Sequence, residues 1–252
     1  MIRPASILRA SAMFAAGGSL LAAAPGAAAP EGAQGDAALA GPAVLSIAPL
    51  RVELEGNGAG ATIRLTNASN RALPVQARLF AWSQADGEDV YAPSGELVVS
   101  PSITSIPSGQ TQIVRVLRRG AASPGEKRFR LAIDQLPDPA LVRPGTAQTR
   151  IRFTLPVFVD REKAAPADFA WRIAKDRVEL ENRGGATARV LEIEVKTPDG
   201  RVIPVDRNAL RYVLGNSTIA WPLEGGCSLG PLRVSAQIDG QSVDVVAAPA
   251  CG

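Results

Sequence analysis

The chain has 252 residues, 46% of them apolar, with 24 glycines, 20 prolines, no histidine and a formal charge of +3. That length holds one large or two ordinary domains, and the proline and glycine content suits short strands joined by turns rather than long helices. Two of the positive charges, Arg3 and Arg9, stand at the very start, and the other arginines are scattered singly, so the concentrated basic stripe of a nucleic-acid binder is missing.

The opening MIRPASILRASAMFAAGGSLLAAAPGAAAP joins that charged start to an apolar stretch, Ala10 to Ala24, and closes on small residues with a cut expected after Ala29. This is the pattern of a secretory signal peptide, 1–29. Glycines interrupt the apolar stretch, which is shorter than the ~20 residues a membrane-spanning helix needs. The polar lead-in at 30–43 follows, and a soluble product outside the cytoplasm is expected.

From Val44 onward short apolar runs recur between turn signals. LSIAPLRVELEG reads as one strand with Arg51 in its middle, and GATIRLTNAS turns Ile63 and Leu65 inward. LPVQARLFAWSQ sets Val75, Ala77 and Leu79 on one face before the turn ADGED. GELVVSPSITSIPSGQTQIVRVLRR reads as two strands around Pro107-Ser108-Gly109, and EKRFRLAIDQLP aligns Phe129, Leu131 and Ile133. In TRIRFTLPVFV, Thr149 to Val159, Ile151, Phe153 and Leu155 share a face opposite Arg150, Arg152 and Thr154, and Val157-Phe158-Val159 then runs without a polar break. Period-two alternation makes this a strand, and Pro156 makes it an edge strand, because proline has no N–H for a ladder. About seven strands in this span are the signature of an immunoglobulin-like sandwich over 44–160.

DREKAAPAD, 160–168, is a composition shift that reads as a linker. Beyond it FAWRIA, RVELENR, ARVLEIEVKTPDG, RYVLGNSTIAWPL, PLRVSAQIDG and QSVDVVAAPAC are short strands again, with Asp-Gly hairpin signals at 199–200 and 239–240. The expectation is all-β, with two immunoglobulin-like β-sandwich domains in tandem, the second over 161–252. Cys227 and Cys251 are the only cysteines, and an even pair in an exported chain favours a disulfide within the second domain.

Without histidine the usual Ser-His-Asp and Cys-His arrangements cannot form, and no histidine completes a metal site around two cysteines. The carboxylate pairs in GED and ELE read as turn and solvent-face charges. No enzyme, cofactor or metal is expected.

The order of Arg51 in LRVELEG, then LTNASNRALPVQARLFAW, VSPSITSIPSGQTQIVRV, RFRLAIDQLP and LPVFV is similar to that of the periplasmic pilus-assembly chaperones of the chaperone–usher pathway. The resemblance covers 44–160 well and the second domain more loosely, through LENRGGATARV and YVLGNSTIAWPL. It implies a chaperone that fills the groove of a pilin subunit with its own edge strand and hands the subunit to an outer-membrane usher. Ile151, Phe153 and Leu155 would then enter the groove, although the same alternation fits a strand facing its own core. The resemblance makes Arg51 the anchor for the subunit's terminal carboxylate, with a solvent-facing strand residue as the other reading. It makes Arg115, Glu126 and Asp239 a structural ion bridge at the domain junction. Pro156 stands where many members carry a second anchoring lysine, which suggests a non-classical branch and leaves Arg152 or Thr154 as substitutes. The rival reading is a secreted structural or adhesive module of an appendage. Such a subunit is expected to begin with an alternating apolar extension, which PEGAQGDAALAG is not.

Overall fold

Alternating apolar residues build strands along the whole of the chain that the computed structural model describes, residues 44–56, 58, 60–138, 150–205 and 210–251. The expected signal peptide and lead-in lie outside the described residues. The first ten strands are β1 (Leu45–Ala48), β2 (Val52–Leu54), β3 (Gly60–Asn67), β4 (Leu73–Ala85), β5 (Glu88–Pro93), β6 (Leu97–Ser100), β7 (Ile103–Ile106), β8 (Thr111–Arg118), β9 (Lys127–Gln135) and β10 (Arg152–Val159). They form a sheet of order β1-β3-β8-β6 facing one of order β2-β10-β9-β4-β5, with β7 also on β4. Ile63, Leu65, Val75, Ala77, Phe129, Leu131 and Ile133 meet in the core between them.

Ten strands form where about seven are expected, because two stretches change sheets midway and one strand, β5, is additional. LSIAPLRVELEG is not one strand: β1 pairs with β3 in one sheet, while β2 lies beside β10 in the other. The crossing runs through Pro49, Leu50 and Arg51, where proline offers no ladder donor and Leu50 is 68% exposed. VVSPSIT divides in the same way at Pro101, with β6 on β8 and β7 on β4. Asp86 and Gly87, at φ 53° and 83°, make the tight hairpin that joins β4 to the additional strand β5.

The remaining strands, β11 (Phe169–Ala174), β12 (Arg177–Asn182), β13 (Ala188–Lys196), β14 (Val202–Ile203), β15 (Arg211–Val213), β16 (Ser217–Pro222), β17 (Leu232–Ile238) and β18 (Gln241–Pro249), surround a second core. Asp239-Gly240 turns β17 into β18. Cys227 and Cys251 are bridged, with Cα atoms 6.3 Å apart, tying a short 3-10 turn to the end of β18. The architecture is all-β, two immunoglobulin-like sandwiches in tandem. Among the described residues no helix is long and apolar enough to cross a membrane.

DREKAAPAD is not a loose linker. Asp160 is wholly buried and accepts hydrogen bonds from Ser123 N–H (2.6 Å), Lys163 Nζ (3.0 Å) and Arg118 Nη2 (3.1 Å), while its own N–H donates to Leu54 O (2.9 Å). Burial pushes the Asp160 carboxyl up, but these three donors outweigh it and hold it below the usual carboxylate range. Beside it Trp82, Phe158, Tyr212 and Leu214 form a small apolar cluster shared by the two domains. The Arg130 guanidinium lies 3.6 Å from the Trp82 ring centre and 5.2 Å from that of Tyr212.

Candidate functional site

β10 is held on one side along its whole length by β9, from Arg152 opposite Asp134 to Val159 opposite Lys127. On its other side β2 covers only Val157, Phe158 and Val159. The backbone edge from Arg152 to Pro156 therefore has no strand beside it among the described residues. Ile151 C=O accepts from Gln135 N–H in the β9 ladder, so the odd residues of β10 point their backbone groups at β9. The even residues point theirs the other way, as Asp160 N–H does in reaching Leu54 O. Arg152 and Thr154 thus offer N–H and C=O to the open edge. Pro156 falls on an outward position, where its missing N–H costs the β9 ladder nothing.

The odd side chains share one face, as the alternation requires, and that face is the domain's own. Leu155 is 3% exposed and packs with Val157 and Val159 in the first core. The expectation that Leu155 fills a partner's groove is corrected: a side chain spent on the internal core is not free for another protein. Phe153 is half-buried against the same core, and Ile151, further out, is half-exposed. The strand climbs out of its sandwich toward Ile151, so only its first residues keep apolar surface to offer.

Arg51, at the sheet crossing, lies with its guanidinium 4.8 Å from the centre of the buried Phe158 ring, and its Nε donates to Glu53 Oε1 (2.6 Å). Arg161 approaches the same ring at 5.4 Å. Its Nη1 donates to Glu126 Oε2 (2.6 Å), and its Nη2 is 3.9 Å from Asp239 Oδ2. Glu126 also accepts from Arg128 Nε (2.8 Å), Thr187 N–H (3.0 Å) and the Thr187 hydroxyl, and its side chain has no exposed surface. The junction bridge is therefore built on Arg161, not Arg115. Arg115 is an exposed residue of β8 opposite Thr62 and Ser100, in the sheet that lacks β10, and it touches neither acid.

Residues 44–163 match the family described as pili and flagellar-assembly chaperone, PapD N-terminal domain. Those residues are thus similar to the N-terminal domain of the PapD-like pilus-assembly chaperones. No curated protein sequence matches it significantly. The chain shares its fold with a chain of the CsuC–CsuE chaperone–tip adhesion subunit pre-assembly complex from the archaic Csu pili of Acinetobacter baumannii. That pair is 19% identical, with a TM-score of 0.63, over 82% of this chain and 99% of the other. The E. coli chaperone DraB is 17% identical, with a TM-score of 0.59, over 81% and 96%. The SafA pilin–SafB chaperone complex of Salmonella enterica gives 18%, 0.57, 81% and 96%. At these identities the likeness is one of fold. The family is one of assembly chaperones, not of enzymes.

Neither sequence substitute for the lysine expected at Pro156 sits near Arg51. Arg152 is six residues along β10 from Phe158, about 20 Å away at the strand rise, and Thr154 is about 13 Å away. Arg152 instead pairs with Asp134, which also accepts from Arg78 Nη2 at 2.7 Å. A second cation at the Phe158 ring is Arg161, in the stretch that the sequence reads as a linker. Its two acidic partners were legible, but the arginine was not, because only the fold brings the end of β10 against the second domain.

Proposed function

We propose that this protein is a periplasmic chaperone that captures pilus subunits by lending them the open edge of β10, and then passes them to an outer-membrane usher. The observation that carries the reading is the backbone edge from Arg152 to Pro156, unpaired beside a strand end that still presents Ile151 and part of Phe153. A strand edge with free N–H and C=O groups is a template for a further strand, and backbone bonds supply affinity while alternate side chains supply selectivity. The domain at 44–160 is the lender, and the domain at 161–252 braces the end of β10 through Phe158 and Arg161.

Arg51 is the anchor for the subunit's terminal carboxylate. Its present partner, Glu53, lies on the same segment and both are about one-third exposed. Such a surface pair is worth about 0–1 kcal/mol, so an incoming carboxylate displaces it at little cost and gains a two-pronged contact. With the carboxylate at the Phe158 end and the partner strand extending back toward Arg152, that strand runs parallel to β10.

Co-expression with a pilus subunit tests this reading. Arg51→Ala and Ile151→Asp are each expected to lower recovery of the subunit by roughly tenfold or more, the cost of about 1.4 kcal/mol or more of binding. The unfolding midpoint of the free chaperone should stay unchanged. Undiminished recovery with both variants would overturn the proposal.

A further inference from the structure

At the far end of β10 from Arg51, a cavity of about 550 Å³ is lined by Arg78, Asp134, Gln135, Arg150, Ile151 and Arg152, among others. Three arginines there face one carboxylate. Asp134 is shared between Arg78 and Arg152, and Arg150 is exposed and makes no ion pair with the described residues. The pocket therefore carries two positive charges in excess. The two guanidiniums hold the Asp134 carboxyl below its usual range against the burial that raises it, so it is fully ionised and already counted. The Gln135 side-chain oxygen has no hydrogen-bond donor among the described residues.

Position gives this excess a use. Arg152 is an even residue, with its backbone groups on the open edge and its side chain on the outer face beside Asp134. A strand added at that edge places a side chain directly across from Arg152 on the same face, and opposite charges favour such a cross-strand pair. Arg152 lies about 20 Å, six residues of strand, from the Phe158 end where Arg51 sits.

We propose that the Arg78–Arg150–Arg152 pocket receives an acidic side chain of the captured subunit, about six residues before the terminal carboxylate held by Arg51. This rests on the donor-edge reading above. Two charge contacts at fixed separation fix the register of the pairing better than one, because a slip by a single residue turns the acidic side chain to the other face.

The probe is an N-terminally labelled ten-residue peptide of alternating valine and threonine with a free C-terminal carboxylate. Its valines lie on the Ile151 face, and glutamate or glutamine stands six residues before the C-terminus. Fluorescence anisotropy with the native chaperone is expected to show the glutamate peptide binding about three- to fivefold more tightly, the strength of a well-placed, partly exposed ion pair. The double variant Arg150→Gln/Arg152→Gln leaves Arg78 paired with Asp134 and should bind the two peptides equally. Glutamate four residues before the C-terminus, opposite Thr154, should gain nothing over glutamine. Equal binding of the two first peptides by the native protein, or a preference that survives in the double variant, or an equal gain at the Thr154 position, would overturn the pocket and leave the donor edge standing. Binding of neither peptide would overturn both.

Discussion

Glu126→Gln is the substitution that separates a buried junction from a surface ornament. The native carboxylate has no exposed surface and accepts from Arg128 Nε at 2.8 Å, Arg161 Nη1 at 2.6 Å and both polar groups of Thr187. Glutamine keeps the shape but turns one oxygen into an NH₂ group, which must face a guanidinium as donor against donor. Either Arg128 or Arg161 loses its carboxylate acceptor, and among the described residues the junction keeps two cations with only Asp239, 3.9 Å from Arg161, as a counter-charge. Breaking a fully buried pair costs about 3–5 kcal/mol. Arg128 and Arg161 retain about one-fifth of their exposure, so water relieves part of this, and about 2–3 kcal/mol is a fair expectation. For a chain of this size that lowers the midpoint by about 4–12 °C, at roughly 2–4 °C per kcal/mol. Scanning calorimetry of the native protein, Glu126→Gln and Arg115→Ala measures it. Arg115→Ala should be within about 0.5 kcal/mol of native, as for an exposed residue with no partner among the described residues. A Glu126→Gln midpoint within 1–2 °C of native, or an equal loss in Arg115→Ala, would refute the assignment of the bridge to Arg161.

Two further outcomes follow from the junction and the second domain. The folded-state pKa of Asp160 lies below its unfolded value, so its contribution to stability is fully present above about pH 4 and is lost as pH falls through the folded pKa. Asp160→Asn should therefore be less stable than native at pH 7 and lose less stability on acidification, and parallel stability–pH curves for the two proteins would contradict this. Cys227→Ser opens a bridge of sequence separation 24 and should cost the second domain about 3 kcal/mol in denaturant unfolding, while subunit recovery changes little. Free thiols in protein isolated from an oxidising compartment would contradict the bridge.

The strands of the first sandwich were legible because their apolar residues recur every second position over one buried face, as at Ile63 and Leu65 or Phe129, Leu131 and Ile133. The sheet changes at Pro49 and Pro101 were not, because alternation continues through them and says nothing of which sheet a strand joins. The same limit applies to β10. Period two placed Ile151, Phe153 and Leu155 on one face, and Pro156 marked an edge, but how far the strand stands out of its own sandwich decides which of them remain available. Leu155 is inside and Ile151 is at the rim. Arg161 was hidden for another reason. It lies in a polar stretch with no periodicity, and its role comes from Glu126, 35 residues earlier, and Asp239 in the second domain. Likewise Trp82, Phe158 and Tyr212 lie far apart in the sequence on β4, β10 and β15, and only the docking of the two domains makes them one cluster.

Amide hydrogen exchange along β10 tests the central claim most directly. Phe153 and Leu155 bond to β9, and their amides should be protected in the free chaperone and in its complex with a pilus subunit alike. Arg152 and Thr154 point at the open edge, so their amides should exchange quickly in the free protein. On subunit binding they should slow by about a hundredfold or more, as new ladder bonds close over them. Slowing confined to these two amides would place the partner's strand against β10. Arg152 and Thr154 amides that exchange equally fast with the subunit bound would contradict the lending of this edge.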